Sequence, residues 1–257
     1  MSSVQRRGAA LVTGAAKRIG RAIALDLAAD GWDVAIHFHA SEAEAREVVG
    51  LIGKIGRRAC ALRADLSREA ETGTLVGRAV AALGPLTLVV NNASVFETDS
   101  WNTATRASWD EHLETNLRAP FVLTQDFARQ LPEGVEGNVV NLLDQRVWSP
   151  TPAFMSYTVS KLGLWGLTQT LALALAPRIR VNGIGPGPAM ANIRQTPEQF
   201  AEQCASMPLK RGTSPEEICR TLRFILSAPS MTGQMIALDG GQHLCWAPPA
   251  KGWVVPE

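Results

Sequence analysis

The only tyrosine of the chain, Tyr157, stands four residues before Lys161 in Ser156-Tyr157-Thr158-Val159-Ser160-Lys161. On a helix that spacing sets a phenolic hydroxyl and an ammonium on one face, one turn apart. A nearby cation favours the phenolate and draws the phenol pKa down towards the working pH. Such a phenol can pass protons to or from a substrate. Ordinary helix packing can produce the same spacing, so the pair gains meaning only from what surrounds it.

A second set of residues could hold a phosphate. Thr13-Gly14-Ala15-Ala16-Lys17-Arg18-Ile19-Gly20 joins a short apolar run, Ala9–Thr13, to a helical segment. Glycine permits the tight turn, and the helix N-terminus offers free amides and a positive dipole end to a pyrophosphate. Lys17 and Arg18 add two cations, which suits an extra phosphate. After the second strand an NAD enzyme commonly carries an acid for the ribose diol. This chain has His37-Phe38-His39-Ala40-Ser41 instead. Ser41 is expected to cap the following helix, where its hydroxyl and the first-turn amides could hold a 2′-phosphate. NADP is therefore the expected cofactor, with a plain cap as the alternative role of Ser41. His37 and His39 share a strand face, but no third ligand accompanies them and no metal site is expected.

The elements that must position these residues alternate along the chain. Apolar runs at 33–38, 58–62, 86–90, 139–143, 179–184 and 235–238 read as further strands. Helical segments are expected over 19–29, from 41, over 68–83, in a long region ending at 130, and over 153–176. This pattern predicts the α/β class: a single doubly wound parallel sheet, Rossmann-type, of about seven strands with helices on both faces. Residues 1–257 read as one domain. Residues 186–215 look like an excursion, a short helix pair over the C-terminal edge of the sheet. Residues 245–257 form a tail too rich in Pro and Trp for a regular element, either a surface strap or a contact with a neighbouring subunit.

Composition narrows the function classes. The 257 residues are 46% hydrophobic with a formal net charge of +1, which fits a globular protein with a sizeable core. No basic run could track a phosphate backbone, so no nucleic-acid partner is expected. No apolar stretch approaches the length of a membrane span. The start of the chain is too short in apolar residues for a signal sequence. Cys60, Cys204, Cys219 and Cys245 show no paired spacing, so reduced thiols and a cytoplasmic location are expected.

Taken in order, Thr-Gly-x-x-x-Arg-Ile-Gly, Asn91-Asn92-Ala93-Ser94, Asn116, Tyr157-x-x-x-Lys161 and Pro186-Gly187 resemble the short-chain dehydrogenase/reductases over roughly residues 8–244. The resemblance implies Tyr157 as acid/base, with Lys161 holding the nicotinamide ribose and tuning Tyr157. It further implies that Asn116 helps seat a water of a proton relay. Asp65 and Leu66 fall where the family contacts adenine, and Pro186 and Gly187 where it flanks the nicotinamide. A homotetramer, with the last helices and strand seven at interfaces, is implied by analogy alone.

One departure is informative. The family usually has a serine about a dozen residues before the tyrosine, and here Asp144 takes that place. Ionised aspartate accepts hydrogen bonds without donating, and it opposes the lowering of the Tyr157 pKa by Lys161. A tyrosine that stays protonated suits a reductase. Aspartate at this position resembles the pteridine reductases, as do Arg18 in the first loop, the His37-to-Ser41 segment and Asn92-Ala93-Ser94-Val95-Phe96. Their arginine at the position of Ala40 is missing. In that resemblance Phe96 stacks on a pterin and Ser94 meets its polar edge. An aromatic platform and a carboxylate at its rim also suit a flat, hydrogen-bond-rich heterocycle on physical grounds.

Other roles stay open: ordinary packing for Phe96, a helix cap for Asp144, and either pocket lining or sheet-edge cover for Trp148. Met190 and the segment after it are candidate lid residues. The expected function is NADPH-dependent hydride transfer to a pterin-like ring of the dihydropterin, dihydromonapterin or dihydrofolate class. A carbonyl or 3-oxoacyl reductase and a non-catalytic NADP-sensing regulator are the rivals.

Overall fold

The computed structural model describes residues 7–192 and 194–245. Its strands are β1 (Gly8–Val12), β2 (Trp32–Phe38), β3 (Ala59–Arg63), β4 (Leu86–Asn91), β5 (Gly137–Leu142), β6 (Ile179–Pro186) and β7 (Met235–Leu238). All pair in parallel in the order β3-β2-β1-β4-β5-β6-β7. Strands of such a sheet are buried on both faces, so they read as continuous apolar runs. Along β1, Ala10 and Val12 enter one core, where they meet Ile23 and Leu27 of helix α1 (Arg18–Ala29). Ala9 and Leu11 face the other way, into the core shared with Phe127 of α6 (Ala119–Gln130). Period-2 alternation thus divides one strand between two cores.

The order reverses between β1 and β4, and the chain leaves these two neighbours towards opposite faces. A crevice opens at their C-terminal ends, where such sheets bind nucleotides. The loops after β1, β4, β5 and β6 surround that crevice. Asn91 and Asn141 link β4 to β5 beneath it: Asn91 Nδ2 donates to Asn141 Oδ1 at 2.8 Å, and Asn141 Nδ2 donates to Thr168 Oγ1 at 2.8 Å. Helix α7 (Met155–Leu175) carries Thr168 and, in its first turns, Tyr157 and Lys161.

Several expected elements differ in detail. The helix expected over 68–83 is divided at Gly73 and Thr74 into α3 (Glu69–Thr72) and α4 (Leu75–Leu83). The long region ending at 130 consists of α5 (Arg106–Leu113), a π-helical turn (Glu114–Arg118) that holds Asn116, and α6. Among the described residues one helix, α8 (Pro197–Ser206), lies wholly within 186–215 in place of the expected pair; the next, α9 (Pro215–Ser227), packs Ile218, Leu222 and Ile225 into the first core. Of the tail, only Cys245 is among the described residues. No helix among the described residues is long and apolar enough to cross a membrane.

Candidate active site

Helix α7 presents Tyr157 and Lys161 to a cleft of about 250 Å³ at the C-terminal ends of the strands. The Tyr157 hydroxyl donates to Asp144 Oδ2 at 2.8 Å. Lys161 Nζ donates to the Leu142 carbonyl at 2.8 Å and lies 5.7 Å from the centre of the Tyr157 ring. Asp144 follows β5 and starts a short 3-10 turn, Gln145–Val147, accepting from the Arg146 amide at 2.8 Å. It therefore caps a turn and faces the tyrosine at once.

Charge in this cluster is set by burial. Burial raises the Tyr157 phenol well above the ordinary tyrosine range; the Asp144 charge raises it further and Arg146 opposes the rise. Burial pushes Lys161 down to about 8, against the pull of Asp144. The lowered phenol pKa expected from the Tyr–Lys pair alone is thus reversed, because desolvation and the carboxylate outweigh the opposing Arg146 guanidinium.

Arg146 carries a signal that sequence reasoning passed over, a cation two residues after Asp144. It is buried, its Nη1 lies 3.4 Å from Asp144 Oδ2, and its Nε donates to Thr151 Oγ1 at 3.3 Å. Its guanidinium lies 5.4, 5.3 and 5.9 Å from the ring centres of Phe96, Phe154 and Tyr157. Phe96 stacks on Phe154 at 4.4 Å and meets Tyr157 edge-on at 4.6 Å. Phe154 thus supports the ring that was expected as a platform, and Phe96 and Ser94 both line the cleft.

Asn116 is buried behind this wall. Its Oδ1 accepts from the Val95 amide at 2.8 Å and from Ser94 Oγ at 3.1 Å; its Nδ2 donates to the Val95 carbonyl at 2.9 Å and to Ser160 Oγ at 3.1 Å. These bonds occupy every donor and acceptor of the side chain. The side chain therefore ties the Ser94–Val95 loop to α7. Trp148 is also placed differently: it packs against His243 at 5.0 Å and does not line the cleft.

The nucleotide groove is built by backbone fit. Gly14 adopts a left-handed conformation, and a Cβ on Gly20 would run into the Gly14 carbonyl and the Asn92 amide. Thr13 Oγ1 accepts from the amides of Asn92 and Ala93 at 2.9 Å each, and Asn92 Nδ2 donates to the Thr13 carbonyl at 2.8 Å. Asn92 and Ala93 therefore lock the β4 loop against the glycine loop.

His37 lies beneath that loop rather than on the groove. Its Nδ1 accepts from the Gly14 amide at 3.1 Å, so Nε2 carries the proton and donates to the Ala64 carbonyl at 3.1 Å. Burial pushes its pKa down to about 4. His39 is exposed and lies 4.0 Å from Asp65, so the two histidines do not share an environment. Asp65 accepts from the amide and hydroxyl of Ser67, and Leu66 is buried beside it.

The cations of the first loop are aimed elsewhere than at one phosphate. Lys17 pairs with Glu44 at 2.8 Å, in the first turn of α2 (Glu42–Lys54). Arg18, in a left-handed conformation, donates to the carbonyls of Ala191 at 2.9 Å and Met190 at 3.3 Å. Ser41 holds the N-cap position of α2, but its side chain makes no capping bond. Pro186 and Gly187 line the cleft, as do Ile19 and Met190. Arg194, from the excursion, donates to the Phe96 carbonyl at 2.8 Å and to Glu97 at 3.0 Å. Arg18 and Arg194 thus fasten the excursion across the cleft at two places.

Comparison with known proteins agrees with this architecture. The short chain dehydrogenase family model matches residues 8–201. A short-chain dehydrogenase/reductase of Armillaria gallica is 35% identical over 254 residues, covering 93% of this chain and 97% of the relative. A 3-oxoacyl-[acyl-carrier-protein] reductase of Staphylococcus epidermidis is 32% identical, covering 91% and 98%. Among solved structures, the FolM alternative dihydrofolate reductase 1 of Brucella suis, in complex with NADP, is 48% identical with a TM-score of 0.91, covering 95% and 98%. Its Brucella canis counterpart, also with NADP, is 46% identical with a TM-score of 0.90, covering 96% and 98%. The chain belongs to the short-chain dehydrogenase/reductase family.

Proposed function

We propose that the protein is an NADPH-dependent reductase of a pterin-like ring, of the dihydropterin, dihydromonapterin or dihydrofolate class. The observation that carries this reading is the Tyr157–Asp144 hydrogen bond at 2.8 Å, set beside a Phe96 ring 4.6 Å from Tyr157. A flat heterocycle needs an aromatic surface and an acceptor for its N–H groups, and these residues provide both. The planar guanidinium of Arg194 lies 5.4 Å over Phe96, and a substrate ring stacking on that face would displace it. The likeness to two FolM dihydrofolate reductases supports the same reading.

NADPH supplies the hydride when bound. The backbone at Gly14, Ile19 and Gly20 suits its pyrophosphate. Asp65 and Leu66 would meet its adenine end, and Pro186 and Gly187 would flank its nicotinamide end. The uncapped Ser41 hydroxyl and the α2 amides suit the 2′-phosphate. Arg63 Nε donates to the His39 carbonyl at 3.3 Å, which sets a cation near this turn where Ala40 provides none.

Reduction of a C=N bond places hydride on carbon and a proton on nitrogen. Tyr157, held protonated by burial and by Asp144, delivers that proton through its hydroxyl and regains one from solvent when the product leaves the cleft. Asp144 accepts from an N–H or amino group of the ring, and Ser94 meets its polar edge. Lys161 would hold the nicotinamide ribose and keep a cation beside Tyr157. Phe96, backed by Phe154, would hold the ring against the bound nicotinamide, while the excursion tied by Arg18 would exclude water.

A carbonyl or 3-oxoacyl reductase is the second reading, favoured by the Staphylococcus relative. It leaves Asp144 without a partner to recognise. A regulator that only senses NADP has no chemical need for Tyr157, Lys161 and Asp144 together.

The chain is read as one domain acting as a homotetramer. Exposed Val159, Leu162 and Leu173 on α7 and Phe224 on α9 support such contacts. The four unpaired thiols fit the cytoplasm. A crystal structure with NADP and a dihydropterin tests the site. The ring should stack on Phe96 with its N–H groups on Asp144; a ring bound away from both residues would refute the assignment.

A further inference from the structure

Beside the cleft, three buried polar side chains to which the proposed reaction gives no step form a connected set, one of them, His112, meeting the Tyr157 ring edge-on at 6.1 Å. They are Asp99, in the connection between β4 and α5, His112 on α5, and Ser156 in the first turn of α7, immediately before Tyr157. The Asp99 carboxylate accepts from the Ser156 amide at 3.1 Å and from the Ser156 hydroxyl. Its main-chain carbonyl accepts from the Phe154 amide at 2.8 Å.

Helix α7 has no cap of its own. Phe154 holds the N-cap position in the left-handed region, at φ 57°, and has no side-chain acceptor. The free amides that every helix start leaves behind are here met by a residue from another segment. A carboxylate at that end also complements the helix dipole.

His112 completes the set. Its Nε2 accepts from the Glu97 amide at 3.1 Å, so Nδ1 carries the proton. That Nδ1 lies 2.8 Å from both Ser156 Oγ and the Ser108 carbonyl. The segment Phe96–Asp99 is thus fastened to α5 and α7 at successive points: Phe96 on Phe154 and Tyr157, Glu97 on His112, and Asp99 on Ser156.

We infer that Asp99, Ser156 and His112 are positioning residues that fix the Tyr157 hydroxyl relative to the Phe96 platform. The inference rests on the reading of Phe96 as the surface that carries the substrate ring. Any slippage of the Phe96–Asp99 segment along α7 changes the 4.6 Å separation of Phe96 and Tyr157. A displacement of about 1 Å between reacting groups can cost about 100-fold in rate.

Ser156→Ala, Asp99→Asn and Asp99→Ala test it, with kcat and KM for a dihydropterin, NADPH affinity by fluorescence titration, and melting temperature. Ser156→Ala should lower kcat about tenfold or more, with NADPH affinity and KM changed by no more than about twofold. Asp99→Asn keeps an oxygen acceptor for the Ser156 amide and should retain more activity than Asp99→Ala. If Asp99→Ala does not fold, Ser156→Ala and Asp99→Asn decide. A lowered melting temperature with kcat within about twofold of wild type in both would make the set a structural brace and overturn the inference. Wild-type protein that turns over carbonyls and no pterin would sink the reading of Phe96 instead. The same variants are then assayed on the carbonyl, where unchanged kcat overturns the positioning role.

Discussion

Asp144→Asn separates the two chemistries that this cleft could serve. The substitution keeps shape and removes charge at a carboxylate that bonds Tyr157 at 2.8 Å and lies 3.4 Å from Arg146. In the bound state proposed here, the carboxylate also accepts an N–H of the pterin. A hydrogen bond to a charged group contributes about 1.5–3 kcal/mol, and each 1.36 kcal/mol is about tenfold in rate. The variant should therefore lose about 10- to 150-fold in kcat/KM towards a dihydropterin. A simple ketone offers no N–H to this position, so its turnover should change by less than about threefold. The assay is NADPH oxidation with each substrate, run well below the melting temperature of the variant. Equal losses on both substrates, or no loss on the pterin, would refute the assigned role of Asp144.

Three further expectations follow from the same geometry. Lys161 holds its proton only up to about pH 8, so kcat/KM should decline above that pH as the ammonium is lost; Lys161→Arg, though slower, should show no such decline, and superimposable profiles would contradict this. The His37 imidazole takes a proton at about 6.5 when unfolded and only at about 4 when folded. Its contribution to stability is therefore complete above pH 6.5 and falls by up to about 3 kcal/mol as the pH drops to 4. Urea unfolding of His37→Gln should show a shallower loss over that range, and parallel curves would count against it. Ser41→Ala and Arg63→Ala should each weaken NADPH binding about tenfold and leave NADH binding unchanged by calorimetry; equal effects on both nucleotides would remove these residues from the 2′-phosphate site.

The sheet was legible because parallel strands must be apolar on both faces, so each appears as a short run such as 86–90 between turn residues. Tyr157 and Lys161 were legible because helix geometry converts a spacing of four into a shared face. What stayed hidden depends on contacts between distant segments. Asp99 caps a helix through Ser156, 57 residues further along, and nothing local marks that partner. Arg146 reads as a surface cation until the turn at Gln145–Val147 folds it over three aromatic rings. The same turn carries Trp148 away from the cleft to His243, although it lies only four residues from Asp144. His37 looked like a nucleotide contact from its place at the end of β2, yet burial turned it into a support for Gly14. Gly73 and Thr74 interrupt what periodicity alone extends into one helix.

The most direct test of the central claim is NADPH oxidation by wild-type protein and Tyr157→Phe against a panel of dihydropterins and carbonyl compounds. The account predicts turnover of at least one dihydropterin, reduced by about 100-fold or more in Tyr157→Phe. Turnover of ketones with none of the dihydropterins, or pterin reduction that survives Tyr157→Phe, would contradict it.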